Sequence, residues 1–143
     1  MKIHITRLHS TVPLPAYQTA GSVAFDLASA CDLVIEPHAT ARIPTGLVIA
    51  TPSGYALLVA SRSSTPQKKG LLPPHGIGIL DQDYCGPTDE LQILVYNFTD
   101  APVAVGKGER IAQGLFVPIE RAEWEEGAAA EKNRGGFGST GTS

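Results

Sequence analysis

Apolar positions along most of the chain recur at every second residue or gather in short runs, each stopped by Gly, Pro or Asp. That spacing marks strands with one buried face, joined by tight turns. It predicts strands over Lys2–Thr6, Leu33–Ile35, Gly46–Ala50, Tyr55–Ala60, Leu91–Phe98, Val103–Val105 and Ile111–Val117. Helix is expected only in short pieces, after Ser63-Ser64-Thr65, where hydroxyls can cap a turn, and around Ala122–Glu131. Neither piece is long enough to organise a fold. Many short strands with little helix point to an all-β antiparallel sandwich or barrel. From Gly127 the pattern stops and Gly, Ala, Ser and Thr dominate. Residues 1–126 are therefore expected to form a single β domain and 127–143 a flexible glycine-rich C-terminal tail with too little apolar surface to fold alone.

Composition narrows this picture. The 15 glycines and 11 prolines suit frequent chain reversals. A chain of 143 residues fits one domain, and at that size about 68% of the unfolded surface is buried, enough to fold without staples. Cys31 and Cys85 form no C-x-x-C pair, which excludes zinc ribbons, thioredoxin-like redox sites and disulfide scaffolds. A reducing, cytoplasmic setting is expected. The net charge of −3 offers no broad basic face for nucleic acid. Any phosphate contact must then be local. No apolar run reaches the 18 or so residues of a membrane span, and the N-terminus lacks a signal-peptide core.

Five segments carry candidate chemistry. In Arg134-Gly135-Gly136-Phe137-Gly138-Ser139-Thr140-Gly141 a cation, an aromatic ring and two hydroxyls sit among glycines. Such a segment is either an inert linker or a phosphate clamp with a ring to lie on a base. Gly78-Ile79-Leu80-Asp81-Gln82-Asp83-Tyr84 sets two acids two apart, which on a strand face the same side, although a plain hairpin with Asp in its turn has the same sequence. Ser61-Arg62-Ser63-Ser64 joins a guanidinium to hydroxyls directly after a strand, a suitable donor set for phosphate oxygens. Gly106-Lys107-Gly108-Glu109-Arg110-Ile111-Ala112-Gln113 reads as a turn leading into a strand, with Gln113 as a donor. Ala20-Gly21-Ser22-Val23-Ala24-Phe25-Asp26-Leu27 lacks the spacing of a dinucleotide or Walker fingerprint.

The order and content of these segments, from about Leu14 to Thr140, resemble the five motifs of the trimeric all-β dUTPases. Ile43-Pro44-Thr45-Gly46-Leu47 and Gly54-Tyr55 also fit that family, and Gly-Phe-Gly-Ser-Thr-Gly is the most specific match. The resemblance implies a jelly-roll-like fold and hydrolysis of dUTP to dUMP and pyrophosphate, with Mg²⁺ on the triphosphate. It implies Asp81 as the general base for in-line water attack on the α-phosphorus, and Asp26 as support for the metal through water. Tyr84 is then expected under the deoxyribose, His75 and Gly78 at the base, and Arg62, Ser63, Ser64 and Gln113 on phosphate oxygens. The tail is expected to close over the nucleotide, with Phe137 and Gly138 at the base and Lys132, Arg134, Ser139 and Thr140 reaching the terminal phosphates. A homotrimer with sites shared between subunits, each tail donated by a neighbour, is likewise implied.

The chain departs from the family pattern in four places. The common Asp-Tyr-Arg-Gly-Glu run is here Asp83-Tyr84-Cys85-Gly86-Pro87-Thr88-Asp89-Glu90, longer by about three residues and without the arginine. His75 stands where Asn is common, and Ser64 where Gly is common. The tail arginine five places before the Phe is Lys132, with Arg134 three before it. Arg-Ser-Ser also occurs in the related dCTP deaminases, but the catalytic Glu of those enzymes falls on Leu94, three residues before Asn97. Deamination, alone or combined with dUTP hydrolysis, and a non-catalytic nucleotide-sensing role are the alternatives. The second is disfavoured because base and tail are both kept.

Overall fold

A computed structural model describes residues 1–136. The elements in chain order are β1 (Ile5–Arg7), β2 (Phe25–Ala28), β3 (Leu33–Ile35), β4 (Thr40–Pro44), β5 (Leu47–Ile49), β6 (Tyr55–Ser61), α1 (Thr65–Lys69), β7 (Leu71–Leu72), β8 (Gly78–Leu80), β9 (Gln92–Asn97), β10 (Val103–Val105) and β11 (Arg110–Pro118). Four antiparallel sheets result: β2-β11-β6-β8, β4-β9-β7, β1-β5 and β3-β10. The all-β sandwich expected from the alternation is thus present, in open sheets rather than a closed barrel among the described residues.

The inward faces meet in one core that includes Leu27, Ile35, Ile43, Leu57, Leu71, Ile93, Val95 and Ile111. Burying each such side chain contributes roughly 1.5–3 kcal/mol against the entropy of ordering the chain. Buried polar side chains are Ser29, Thr45, Thr51, Thr65 and Asn97, the last of them fully buried at the end of β9. Its amide nitrogen faces the carbonyls of Ile35 (3.0 Å), Glu36 (3.2 Å) and Ala101 (2.8 Å), while its oxygen accepts from the Thr99 N–H at 2.9 Å. Every polar atom of that side chain therefore has a partner, as burial demands.

The longest pairing joins β11 to β6, from Ala112 opposite Ser61 to Pro118 opposite Tyr55. On its other edge β11 pairs with β2, and the register shifts between Arg110 and Ala112. This bulge explains why Ile111 and Ala112 are buried in succession, which strict alternation forbids. At Gly114 a Cβ would lie 2.6 Å from the Phe25 ring, so only glycine lets β2 and β11 close.

Two features of the fold differ from the sequence expectation. Residues 122–131 form no helix and are exposed throughout; nothing packs against them to offset the cost of nucleation. Strands β2, β4, β7 and β8 lie outside the predicted set, and each is paired with a longer neighbour: β2 with β11, β4 and β7 with β9, and β8 with β6. The short helix after Ser63-Ser64 is present, with Pro66 at its start and Gly70 closing it at φ 70°. Ser64 stands at its N-cap without a side-chain capping bond. It is Thr65 Oγ1 that ties the helix down, by donating to the Ile111 carbonyl at 2.9 Å.

The turn that feeds β11 is held by charge. Lys69 Nζ lies 2.9 Å from Glu109 Oε1 and donates to the Ala104 carbonyl, and the Gly106 N–H donates to Glu109 Oε2 at 3.0 Å. Burial raises the Glu109 pKa, but the hydrogen bonds from Lys69 and Gly106 and the Lys69 charge outweigh it and hold the carboxyl below its ordinary value of 4.5. A carboxyl depressed on folding stabilises the protein above its unfolded pKa and loses that contribution as pH falls through the folded one. Lys69→Met should therefore lower stability at pH 7, by about 1 kcal/mol or less for a pair this exposed. The deficit should shrink as the pH drops below about 4.5. Urea unfolding at pH 7 and pH 3 measures it, and an equal deficit at both would contradict the account.

Candidate functional site

Because β11 lies between β2 and β6, it draws three of the sequence-predicted residues together. Gln113 pairs with Asp26 on β2 and with Ala60 on β6, one step before Ser61-Arg62. Asp26 is held between two guanidinium groups: Arg62 Nε lies 2.9 Å from Oδ1 and Arg110 Nη1 lies 3.0 Å from Oδ2. Arg62 also donates through Nη1 to the Arg110 carbonyl at 3.2 Å, and Gln113 Nε2 donates to the Ser61 carbonyl at 3.0 Å.

Charge arithmetic at this point is simple. One carboxylate faces two fixed cations, so the cluster carries an excess positive charge in a chain of net charge −3. The Asp26 side chain is only 12% exposed, whereas that of Arg110 is 47% exposed and presents its remaining donors to solvent. Arg62 and Arg110 line one recess with Ser64, Lys68 and Lys69. A donor set of this kind suits phosphate oxygens, the local contact that the overall charge leaves open. Ser63 is exposed beside it. Arg110 had no assigned role from sequence, although it lies in the same segment as Gln113. What identifies it is the β2–β11 register, which no short-range pattern contains.

In the segment after β8 the turn, of the two readings open from sequence, is the one present. Strand β8 ends at Leu80, so Asp81 and Asp83 sit in a turn and strand alternation does not govern them. The Tyr84 N–H donates to the Asp81 carbonyl at 3.3 Å, and Gln82 Nε2 donates to the Tyr55 carbonyl at 3.2 Å, which fastens the turn to β6. Both acids are exposed and line one recess with Tyr55, Gln82 and Arg121. Tyr84 is 43% exposed and is no core ring. Its hydroxyl donates to the Glu90 carbonyl at 3.1 Å.

His75 and Gly78 share a further cavity with Ile79 and the inner residues of β9. A Cβ on Gly78 would lie 3.5 Å from His75 Nε2, so the imidazole rests over the glycine. Lys132 and Arg134 are exposed on a segment without regular structure. Phe137, Gly138, Ser139 and Thr140 lie outside the described residues.

For a metal, the described residues offer no group of three or more His, Cys, Asp or Glu that could hold an ion. Asp26 stands alone among cations. Its Oδ2 accepts one hydrogen bond from Arg110 Nη1, and its Oδ1 lies in an ion pair with Arg62 Nε, so lone pairs remain on both oxygens, which fits contact with a water of a metal brought by a ligand.

Comparison with known proteins bears on the chain as a whole. The family model described as dUTPase matches residues 10–141. The deoxyuridine 5'-triphosphate nucleotidohydrolase of Anaplasma marginale is 37% identical, the match covering 99% of each chain. Among solved structures, the dUTPase of Staphylococcus bacteriophage 80alpha with dUPNHPP superposes with a TM-score of 0.86 at 26% identity, covering 99% of each chain. The dUTPase of Streptococcus mutans does so at 0.79 and 30% identity, over 87% of this chain and all of that one. A match spanning nearly the whole length, on a fold that gathers Asp26, Arg62 and Gln113 from three separate segments, means that the chain belongs to the dUTPase family.

Proposed function

We propose that this chain is a dUTP diphosphatase that releases dUMP and pyrophosphate by in-line attack of water on the α-phosphorus. The observation that carries the reading is the Asp26–Arg62–Arg110 cluster beside Gln113, a fixed set of phosphate donors in a chain that matches the family from residue 10 to residue 141. The solved phage relative with dUPNHPP supports the substrate class.

In the mechanism, Asp81 orients a water and takes its proton as the water oxygen bonds to the α-phosphorus. The bond from that phosphorus to the bridging oxygen breaks, and pyrophosphate leaves with the electron pair. Arg62, Ser63, Ser64 and Gln113 hold phosphate oxygens with directional donors, joined by Arg110. When bound, Mg²⁺ supplies charge neutralisation on the triphosphate. Asp26 would accept a hydrogen bond from water on that ion. The Tyr84 ring lies under the deoxyribose, where a 2′-hydroxyl would collide with it, and His75 with Gly78 faces the base.

The reading includes a homotrimer with shared sites. Within one chain Asp81 lines a different recess from Arg62 and Ser64. Residues 119–136 are all exposed, and Trp124 is 95% exposed, so this segment has apolar surface without a covering partner in its own chain. In the trimer, the arm carries Lys132, Arg134, Phe137, Gly138, Ser139 and Thr140 over a neighbour's nucleotide, and its ordering entropy is offset when the triphosphate supplies contacts.

Three outcomes test this. Asp81→Asn keeps the side-chain shape but removes the proton acceptor, so kcat for dUTP should fall by about 10² to 10⁴, and an unchanged kcat would remove Asp81 from the role. A variant ending before Lys132 should fold and lose activity, yet regain part of it on subunit exchange with Asp81→Asn, because a mixed trimer joins an intact base to an intact tail. A monomeric mass by light scattering with activity retained would defeat the shared-site reading. His75→Ala should lower the ratio of kcat/KM for dUTP over dCTP by roughly 5- to 150-fold, the value of one buried polar contact. An unchanged ratio between pH 5.5 and 8 would leave base selection to the main chain.

A further inference from the structure

The long turn that sets this chain apart from the family pattern is internally braced. The Gly86 N–H donates to Asp89 Oδ2 at 2.7 Å, and the Asp89 N–H returns to the Gly86 carbonyl at 3.1 Å. The next residue, Glu90, reaches 44 positions back: its Oε1 accepts the Gly46 N–H at 2.7 Å. Leu91, 1% exposed, continues the attachment, its N–H donating to the Leu47 carbonyl at 2.8 Å and its carbonyl accepting from Thr45 Oγ1 at 2.6 Å.

The donor at the far end cannot easily move. Gly46 has φ 69°, and a Cβ there would lie 2.5 Å from Cγ2 of Val12, itself 4% exposed. Glycine is the one residue that fits the conformation and the space. The charge-assisted bond from Glu90 is therefore made to a fixed point of the core. The backbone carbonyl of this same Glu90 receives the hydroxyl of Tyr84 at 3.1 Å. Tyr84 is 43% exposed and lies on a turn, so the packing that holds a core ring is largely missing.

We infer that Glu90 is a positioning residue: by stapling the end of the long turn to Gly46, it holds the carbonyl that fixes the Tyr84 ring, and so sets discrimination between deoxyribo- and ribonucleotides. The inference rests on the reading of Tyr84 as the ring beneath the sugar. Steric exclusion of a 2′-hydroxyl requires a wall that does not yield. A site must hold its groups to within about 0.5 Å to work in this way. A ring freed from its hydroxyl anchor tilts aside for UTP at little cost and still lies along dUTP. Loss of the staple therefore acts on the ratio of the two substrates more than on dUTP turnover.

The test is kcat/KM for dUTP and UTP in wild type, Glu90→Ala, Glu90→Gln, Tyr84→Phe, the Glu90→Ala/Tyr84→Phe double variant and Tyr84→Ala. Glu90→Ala and Tyr84→Phe should each lower the dUTP:UTP ratio by about 5- to 30-fold, the loss of one hydrogen bond in context. The double variant should fall no further than the larger single one, because both break the same chain of contacts. Glu90→Gln, whose amide oxygen still accepts from Gly46, should keep the ratio within about threefold of wild type. A proportional loss on both substrates in Glu90→Ala, or a Gln variant as permissive as the Ala variant, overturns the inference. If Glu90→Ala does not fold, an unchanged ratio in Tyr84→Phe overturns it equally. An unchanged ratio in Tyr84→Ala instead refutes the placement of the ring under the sugar, which separates the two failures.

Discussion

Strand β11 is paired along both edges, and that double pairing is the constraint on which the site depends. Its β6 partner carries Ser61 and leads into Arg62, and its β2 partner carries Asp26. Neither neighbour touches the other in the sheet order, so β11 alone sets their spacing. The bulge between Arg110 and Ala112 is where this matters chemically, since it turns Arg110 toward the carboxylate that Arg62 already holds. Glycine at position 114 lets the Phe25 ring cross the strand and keeps β2 in place. A small steric allowance in the core thus supports an electrostatic arrangement at the surface.

That arrangement has a cost that the chain offsets locally. Two guanidinium groups near each other repel, and a single carboxylate between them compensates at short range while leaving donors to spare. Lys69 lines the same recess and is paired there with Glu109, whose carboxylate offsets its charge. The cluster concentrates cationic donors at one place without a broad basic face.

Much of this was legible in the sequence where local pattern governs. Leu33–Ile35 and Val103–Val105 coincide with β3 and β10, because β-branched residues between turn signals leave few other conformations. The alternation in Tyr55–Ala60 likewise marks β6, which runs one residue further. What escaped depends on distant partners. Strands of two or three residues such as β7 and β8 exist because long neighbours pair with them. The pairing of Arg110 with Asp26 spans 84 positions and follows from register alone. For Asp81 and Asp83 the sequence leaves a strand and a hairpin turn both open, and it is the turn that brings the two acids to one recess.

Trp124 has a consequence of another kind. It is the chain's single tryptophan, and it is almost fully in water on the arm beyond β11. Indole emission depends on the polarity around the ring, so the tryptophan emission, excited at wavelengths the four tyrosines do not absorb, reports one place. Covering that arm with a second copy dries the indole, and returning it to solvent wets it again. For the proposed trimer this makes the indole an optical gauge of association, readable by dilution without any label.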